Sequence, residues 1–248
     1  MSKLLKSDLA TESPQSETKD YYVSSKEING ITVIQAKKRS LKKSISNLLY
    51  TGKVWRYNNE YFTDVVNSLC KVIKEILYEI NADYSRVLII GLGNIKVTAD
   101  SLGPHTINKL IPTNEKGNYN NIVTIYAPGV EGKSGIETFD IVQGLIKITG
   151  TTTVIIIDSL FARSTERLLS TIQISTDGIM PGSGVGNHKK EISEMTVGIP
   201  VLTIGVPTVT ELPPFSSEPL YVTPNDIDIA IETMSKIIAN GLEKSIYL

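Results

Sequence analysis

Two aspartates stand at the positions in this sequence that are best suited to chemistry. Asp100 lies within the segment Val97–Pro104, and Asp158 directly follows the apolar run Thr152–Ile157. Taken singly, each is typical of a helix N-cap or a loop hydrogen-bond acceptor. At one edge of a sheet, however, burial and mutual repulsion would favour a shared proton. One carboxylate then activates water while the other donates a proton, and amide hydrolysis requires both roles.

Two glycine-rich segments indicate another class of site. Gly91-Leu-Gly93 begins like a dinucleotide-binding loop, but Lys96 occupies the place of the third glycine. The segment Pro181–Asn187 has N–H groups suited to an anion or an oxyanion, and it is equally typical of a structural loop with positive-φ glycines. A nucleotide- or phosphate-binding module is therefore one alternative function.

The remaining reactive side chains and the composition exclude several classes. Cys70 is the only cysteine, and His105 and His188 are the only histidines. We therefore expect no disulfide, no metal cluster and no cofactor. The net charge of −1 does not favour nucleic-acid binding, and no apolar run reaches the length of a membrane span. These features predict a soluble cytoplasmic protein without nucleic-acid or membrane partners.

Short apolar runs are predicted to form the strands that position the aspartates. They are residues 86–91, 121–127, 152–157 and 200–205. Such runs suit parallel strands that are buried on both faces, and segments 101–111, 136–148 and 163–171 are predicted crossover helices. The pattern predicts an α/β fold with a doubly wound, mostly parallel sheet flanked by helices. Sites in such folds lie at the carboxyl ends of the strands.

The two ends of the chain have distinct patterns. Residues 1–26 are polar and without sustained periodicity, so we predict a mobile arm followed by a single α/β domain over residues 27–248. Near the other end, Thr223 and Pro224 are predicted to begin a final amphipathic helix, and Gly241 is predicted to end it.

Long blocks around these residues resemble one family of peptidases. The blocks are Gly91-Leu-Gly-Asn94 with Val97-Thr-Ala-Asp-Ser-Leu-Gly-Pro104, Ala127-Pro-Gly-Val130 with Ser134-Gly-Ile-Glu-Thr138, Ile157-Asp-Ser-Leu160 followed by Arg163, Thr171-Ile-Gln-Ile-Ser175, Pro181–Asn187 and Gly205-Val-Pro-Thr208. They cover about residues 86–210 in the family's order. The sequence resembles the germination proteases, which degrade small acid-soluble spore proteins when a spore germinates.

The resemblance implies a fold, a set of site residues, an oligomeric state and activation by processing. The family's fold is similar to that of the hydrogenase maturation peptidases, and its two catalytic aspartates fall on Asp100 and Asp158. Further supporting or substrate-loop residues are Asn94, Glu137, Arg163, Gly182, Ser183 and Gly184, which lie in the matching blocks, and Asp177, which lies between two of them. The family is made as tetrameric, self-processing zymogens in the spore core. The bond between Asp8 and Leu9 is the candidate processing site, which would make residues 1–8 a propeptide.

The chain also departs from the family pattern. Thr176-Asp177 stands where Asp-Thr is usual, Met180 replaces a histidine, and only 13 residues separate Thr208 from Val222, which makes this a short variant. The resemblance favours an active endopeptidase. A catalytically silent relative that binds or regulates a partner is the alternative. A bound metal also stays open, because related peptidases use comparable acidic positions to sense one.

Overall fold

The computed structural model describes residues 20–41, 43–113, 121–130, 134–162, 164–182, 189–212 and 220–247. The strands in these ranges are β1 (Tyr21–Ile28), β2 (Ile31–Lys38), β3 (Ile45–Tyr50), β4 (Arg86–Gly91), β5 (Ile122–Tyr126), β6 (Thr153–Ala162), β7 (Thr171–Ser175), β8 (Val201–Leu212) and β9 (Leu220–Val222). The α-helices are α1 (Asn59–Glu79), α2 (Leu102–Ile107), α3 (Thr138–Thr149), α4 (Glu194–Val197) and α5 (Ile227–Leu242).

The described strands form one mixed sheet in the order β1-β2-β3-β7-β8-β6-β4-β5, and β9 pairs with β8. The four strands β5, β4, β6 and β8 are parallel, and the other pairs are antiparallel. The predicted α/β fold with flanking helices is confirmed. Its antiparallel half was not predicted. The short connections between β1 and β2 and between β2 and β3 allow only antiparallel pairing there.

Helices cover both faces of the parallel strands, and side chains alternate between the two faces. Ile155 and Ile157 of β6 belong to the core shared with α1, α2 and α5. Val154 and Ile156 face the opposite core, which includes Val142 of α3. Burial on both faces explains why these strands are continuous apolar runs in the sequence. In the described part of the chain, no helix is both long and apolar enough to cross a membrane.

The N-terminal hairpin corrects the predicted boundary of the arm. Residues 21–26 belong to β1, so the predicted arm over residues 1–26 is wrong for this part. Its two-residue turn, Asn29-Gly30, has φ values of 49° and 73°, as a type I′ turn requires. Lys26 pairs with Glu75 of α1 at 2.5 Å, which holds the hairpin against the helix. The candidate processing residues Asp8 and Leu9 lie outside the described residues.

Two predicted helix assignments also require correction. Segment 163–171 is not a helix in its described part, because β6 extends to Ala162 and only a 3-10 turn at Thr165–Arg167 precedes β7. At the other end, Asp226 rather than Thr223 is the N-cap of α5. Gly241 does not end this helix but lies inside it.

Candidate active site

The chain after β4 folds back so that Asp100 is fixed by its own segment. The backbone N–H of Asn94 donates to the Asp100 carbonyl at 2.8 Å and to the Asp100 Oδ2 at 2.9 Å. Gly93 makes this turn possible with φ +112°, and a Cβ there would lie 2.0 Å from the Asp100 carbonyl oxygen. Gly93, the second glycine of Gly91-Leu-Gly93, therefore forms the turn that holds the Asp100 carboxylate. The Asn94 N–H group, which would otherwise suit a phosphate, already donates to Asp100.

A close backbone approach brings α2 onto the end of β4. A Cβ at Gly103 would lie 2.3 Å from the carbonyl oxygen of Leu92, so only glycine permits this distance. The approach carries the start of α2 to β6, where the Leu102 N–H donates to the Ser159 Oγ at 3.4 Å. The segments that carry the two aspartates are thereby joined directly.

Asp158 lies one residue beyond the point where β4 stops pairing with β6. Gly91 is level with Ile157, while Asp158 is level with Gly205 of β8. Because β4 ends there, the β4 side of Asp158 is open to the turn that carries Asp100. The two predicted catalytic carboxylates thus meet at the carboxyl edge of the parallel strands, where this fold class places its sites.

The electrostatics of the two carboxylates are coupled. Burial, and secondly the negative charge of Asp100, raise the pKa of Asp158 to about 8, although the N–H of Ser159 donates to its Oδ1 at 2.9 Å. Burial also raises the pKa of Asp100, and the hydrogen bond from the Asn94 N–H opposes that rise. The pair consequently holds one proton at neutral pH, which supplies one acid and one base.

This coupling predicts a pH-dependent stability. The pKa of Asp158 in the folded protein, about 8, lies above the ordinary value of 3.8. The folded state therefore keeps a proton that the unfolded chain releases, so this contribution to stability is full below about pH 4 and is lost as the pH rises through about 8. We expect the free energy of unfolding of the wild type, relative to Asp158→Asn, to fall across that window. Urea titrations at successive pH values measure the difference, and a pH-independent difference would contradict the raised pKa of Asp158.

Glu137 lies at the N-terminus of α3 and holds a neighbouring segment instead of contacting the aspartates. Its Oε1 accepts the backbone N–H of Lys190 at 2.8 Å, and the Lys190 ammonium lies 3.5 Å from its Oε2. This contact anchors residues that follow the second glycine-rich segment. Glu137 is thus a support of that region in the structure.

The structure does not bring Asp177 to the aspartate pair. Gln173 of β7 is level with Gly205, and β7 then runs antiparallel to β8, away from the edge that carries Asp158. Asp177 accepts hydrogen bonds from the hydroxyl groups of Ser44 and Ser175 instead. In this structure Asp177 therefore lies beside Ser44 and Ser175, and its predicted role in a substrate loop stays a prediction.

Of the second glycine-rich segment, Gly182 is described and has φ +74°. Within the described ranges, the hydrogen bonds to the two aspartate carboxylates come from the backbone N–H groups of Asn94 and Ser159. The predicted site residues Ser183, Gly184 and Arg163 lie outside the described residues. Across the described ranges, no group of three His, Cys, Asp or Glu side chains is arranged to hold a metal ion.

Ser159 and Thr208 are two site residues whose positions the sequence patterns did not predict. Ser159 joins α2 to β6, and the Thr208 hydroxyl donates to the carbonyl of Ala99 at 2.6 Å. Both lie in blocks that match the family. Pro207 could have indicated an irregular strand at Thr208, because proline inside a strand interrupts the hydrogen-bond ladder.

Comparison with known proteins assigns the family. Residues 3–219 match the family model described as germination protease. This chain belongs to the germination protease family. A germination protease of Geobacillus sp. (strain WCH70) is 42% identical over 170 residues, 65% of this chain and 44% of that protein. One from Clostridium acetobutylicum is 34% identical over 244 residues, 77% of this chain and 74% of that protein.

Among solved structures, a nickel–iron hydrogenase maturation protease from Thermococcus kodakarensis KOD1 is 17% identical with a TM-score of 0.41. It matches 69% of this chain and 99% of that protein. The aspartate pair, Asn94 and Glu137 all lie within the part of the chain that the germination protease model matches. The chain spans less than half of the Geobacillus relative's length.

Proposed function

We propose that this germination protease is an endopeptidase that begins the degradation of small acid-soluble spore proteins, with Asp100 and Asp158 activating water. The observation that carries the proposal is the coupling of two partly buried carboxylates at the carboxyl edge of the parallel strands. Family membership supplies the reaction class, because germination proteases are peptidases.

A difference in burial supports different roles for the two aspartates. The Asn94 N–H stabilises a negative charge on Asp100, whereas the deeper burial of Asp158 favours its protonated form. Asp100 is therefore the base that takes a proton from water, and Asp158 is the acid that protonates the carbonyl oxygen of the scissile bond.

These roles complete a balanced hydrolysis. The water oxygen attacks the carbonyl carbon while Asp100 accepts a water proton and Asp158 donates its own, which produces a tetrahedral diol. The diol collapses as the C–N bond breaks, the leaving nitrogen takes the proton from Asp100, and Asp158 recovers one from a diol hydroxyl. Both aspartates then return to their starting states.

The partners and the timing of activity follow from the resemblance and form part of the proposal. The substrates are small acid-soluble spore proteins in the spore core, a cytoplasmic compartment. The protein acts as a homotetramer, and self-cleavage between Asp8 and Leu9 removes residues 1–8 of the zymogen. No nucleic acid and no membrane take part.

A cleavage assay tests the proposal directly. Purified full-length protein, with or without prior N-terminal processing, is incubated with a small acid-soluble spore protein, and the fragments are identified by mass spectrometry. We expect a small number of defined internal cuts, together with the appearance of a chain that begins at Leu9. A substrate that stays intact with folded, trimmed protein would favour the catalytically silent alternative. Specific thermal stabilisation by nucleotides would favour the phosphate-binding alternative.

A further inference from the structure

The turn that carries Asp100 has a hydrogen bond from outside its own segment. Hydrogen bonds within residues 94–101 shape the turn, including the Asp100 N–H to the Val97 carbonyl at 2.8 Å. Thr208 of β8 then donates its hydroxyl to the carbonyl of Ala99, the residue before Asp100, at 2.6 Å. Thr208 is only 1% exposed, so this hydrogen bond is shielded from water. β8, which is distant in sequence, thus fixes the peptide group between Ala99 and Asp100, the proposed base.

An irregularity in β8 explains why Thr208 reaches the turn. Leu160 of β6 pairs with Pro207 and Phe161 pairs with Val209, so Thr208 is an extra residue without a partner on β6. An extra residue in one strand re-aims the local side chain and is common beside active sites. Proline at position 207 suits the irregularity because it has no N–H for the ladder.

Thr223 contacts Thr208 from the residue that follows β9. On the second edge of β8, β7 pairs up to Gly205 and β9 pairs from Thr210 onward, so Thr208 lies in the gap between them. The Thr223 hydroxyl donates to the Thr208 carbonyl at 2.8 Å. Two threonines that are hydrogen-bonded to each other therefore lie beside the Asp100 turn.

We propose that Thr208 is a positioning residue for Asp100, and that Thr223 supports Thr208 in this role. This inference rests on the proposed peptidase function. The Thr208 hydroxyl fixes the position of the Ala99 carbonyl and so the distance between the two carboxylates. The Thr223 hydroxyl in turn holds the Thr208 carbonyl.

Thr208→Val tests the proposal because valine keeps the shape of threonine and removes the hydroxyl. The matched control is Thr210→Val: Thr210 is 2% exposed, and its hydroxyl also donates to a backbone carbonyl, that of Ala162, at 2.9 Å. Both variants are expected to lose similar thermal stability. Only Thr208→Val is expected to lower kcat, on the order of 10²-fold with little change in KM, because a misplaced base costs about that much. Thr208→Ser is expected to restore most of kcat.

A second readout does not depend on activity. The titration of the Asp158 carboxyl, followed by carbon-13 NMR in the full chain, reports its distance from the Asp100 charge. In Thr208→Val and, to a smaller extent, in Thr223→Val, we expect the Asp158 titration to move to lower pH, because the repulsion from Asp100 weakens. In Thr210→Val we expect no movement.

The outcomes separate this inference from the proposed function. If Thr208→Val and Thr210→Val match in both kcat and Asp158 titration, the positioning role is overturned while the peptidase stands. If the wild type cleaves nothing but Thr208→Val still moves the Asp158 titration, the peptidase proposal fails and the positioning of the pair is supported. An unmoved titration in Thr223→Val overturns the supporting role of Thr223.

Discussion

Asp158→Asn and Asp100→Asn are each expected to abolish cleavage of the spore protein and self-processing. An amide can neither take a proton from water nor supply one to the carbonyl oxygen, and loss of one acid–base group typically costs about 10²–10⁴-fold in rate. Because both aspartates act on the same proton transfers, the double variant should be no slower than the slower single variant. The rates are measured with trimmed protein near neutral pH, where the wild-type pair holds one proton.

The control for this prediction is Asp228→Asn, on the exposed face of α5. This variant removes the same charge from an exposed side chain and should cleave the substrate at the wild-type rate. Circular dichroism and urea unfolding must show that all variants are folded. Cleavage by Asp100→Asn at the wild-type rate would remove Asp100 from the mechanism, and the same result for Asp158→Asn would remove Asp158.

Gly103→Ala is expected to destabilise the protein strongly, whereas Gly144→Ala should stabilise it slightly. Both glycines lie in helices, but a Cβ at Gly103 would meet the backbone of Leu92 at 2.3 Å, and a Cβ at Gly144 would meet nothing within 4 Å. Overpacking against rigid backbone costs roughly 1–3 kcal/mol or more. In an open helix position, alanine is favoured over glycine by about 0.5–1 kcal/mol.

Urea unfolding of both variants measures these opposite signs. Gly103→Ala should also slow cleavage in the fraction that stays folded, because α2 leads directly from Asp100. A Gly103→Ala protein as stable as the wild type would show that α2 does not need its close approach to β4. A destabilised Gly144→Ala protein would contradict the open environment of α3.

The sequence predicted the central strands and the aspartate pair because both depend on local patterns. Strands buried on both faces must be apolar throughout, so β4 and β6 were visible as continuous runs. Parallel strands align their carboxyl ends, so residues that follow different strands meet at one edge. Asp100 and Asp158 were therefore predictable as a pair, although Asp158 proved to lie within β6 because β8 continues to pair with it.

The parts that could not be predicted depend on pairing between distant segments. β7 consists of residues 171–175 and was not predicted as a strand, since the predicted helix 163–171 ends on its first residue and its place beside β8 is set by pairing with segments distant in sequence. The same holds for Thr208, whose side chain reaches Ala99 only because the β6–β8 register shifts nearby. Asp177 departs from the family pattern, and the direction of β7 carries it away from the pair.

The Asn29-Gly30 turn has a consequence for the order in which the chain folds. β1 and β2 meet across a two-residue loop, and hairpins of this kind form in roughly 1–10 μs. The parallel contacts that place Asp158 beside Gly205 instead join segments far apart in the chain, and closing such loops is slow. We therefore expect the β1–β2 hairpin of a newly made chain to form before Asp100 and Asp158 come together. Proteolytic activity would then arise only late in folding, after the chain has buried most of its own cleavable backbone.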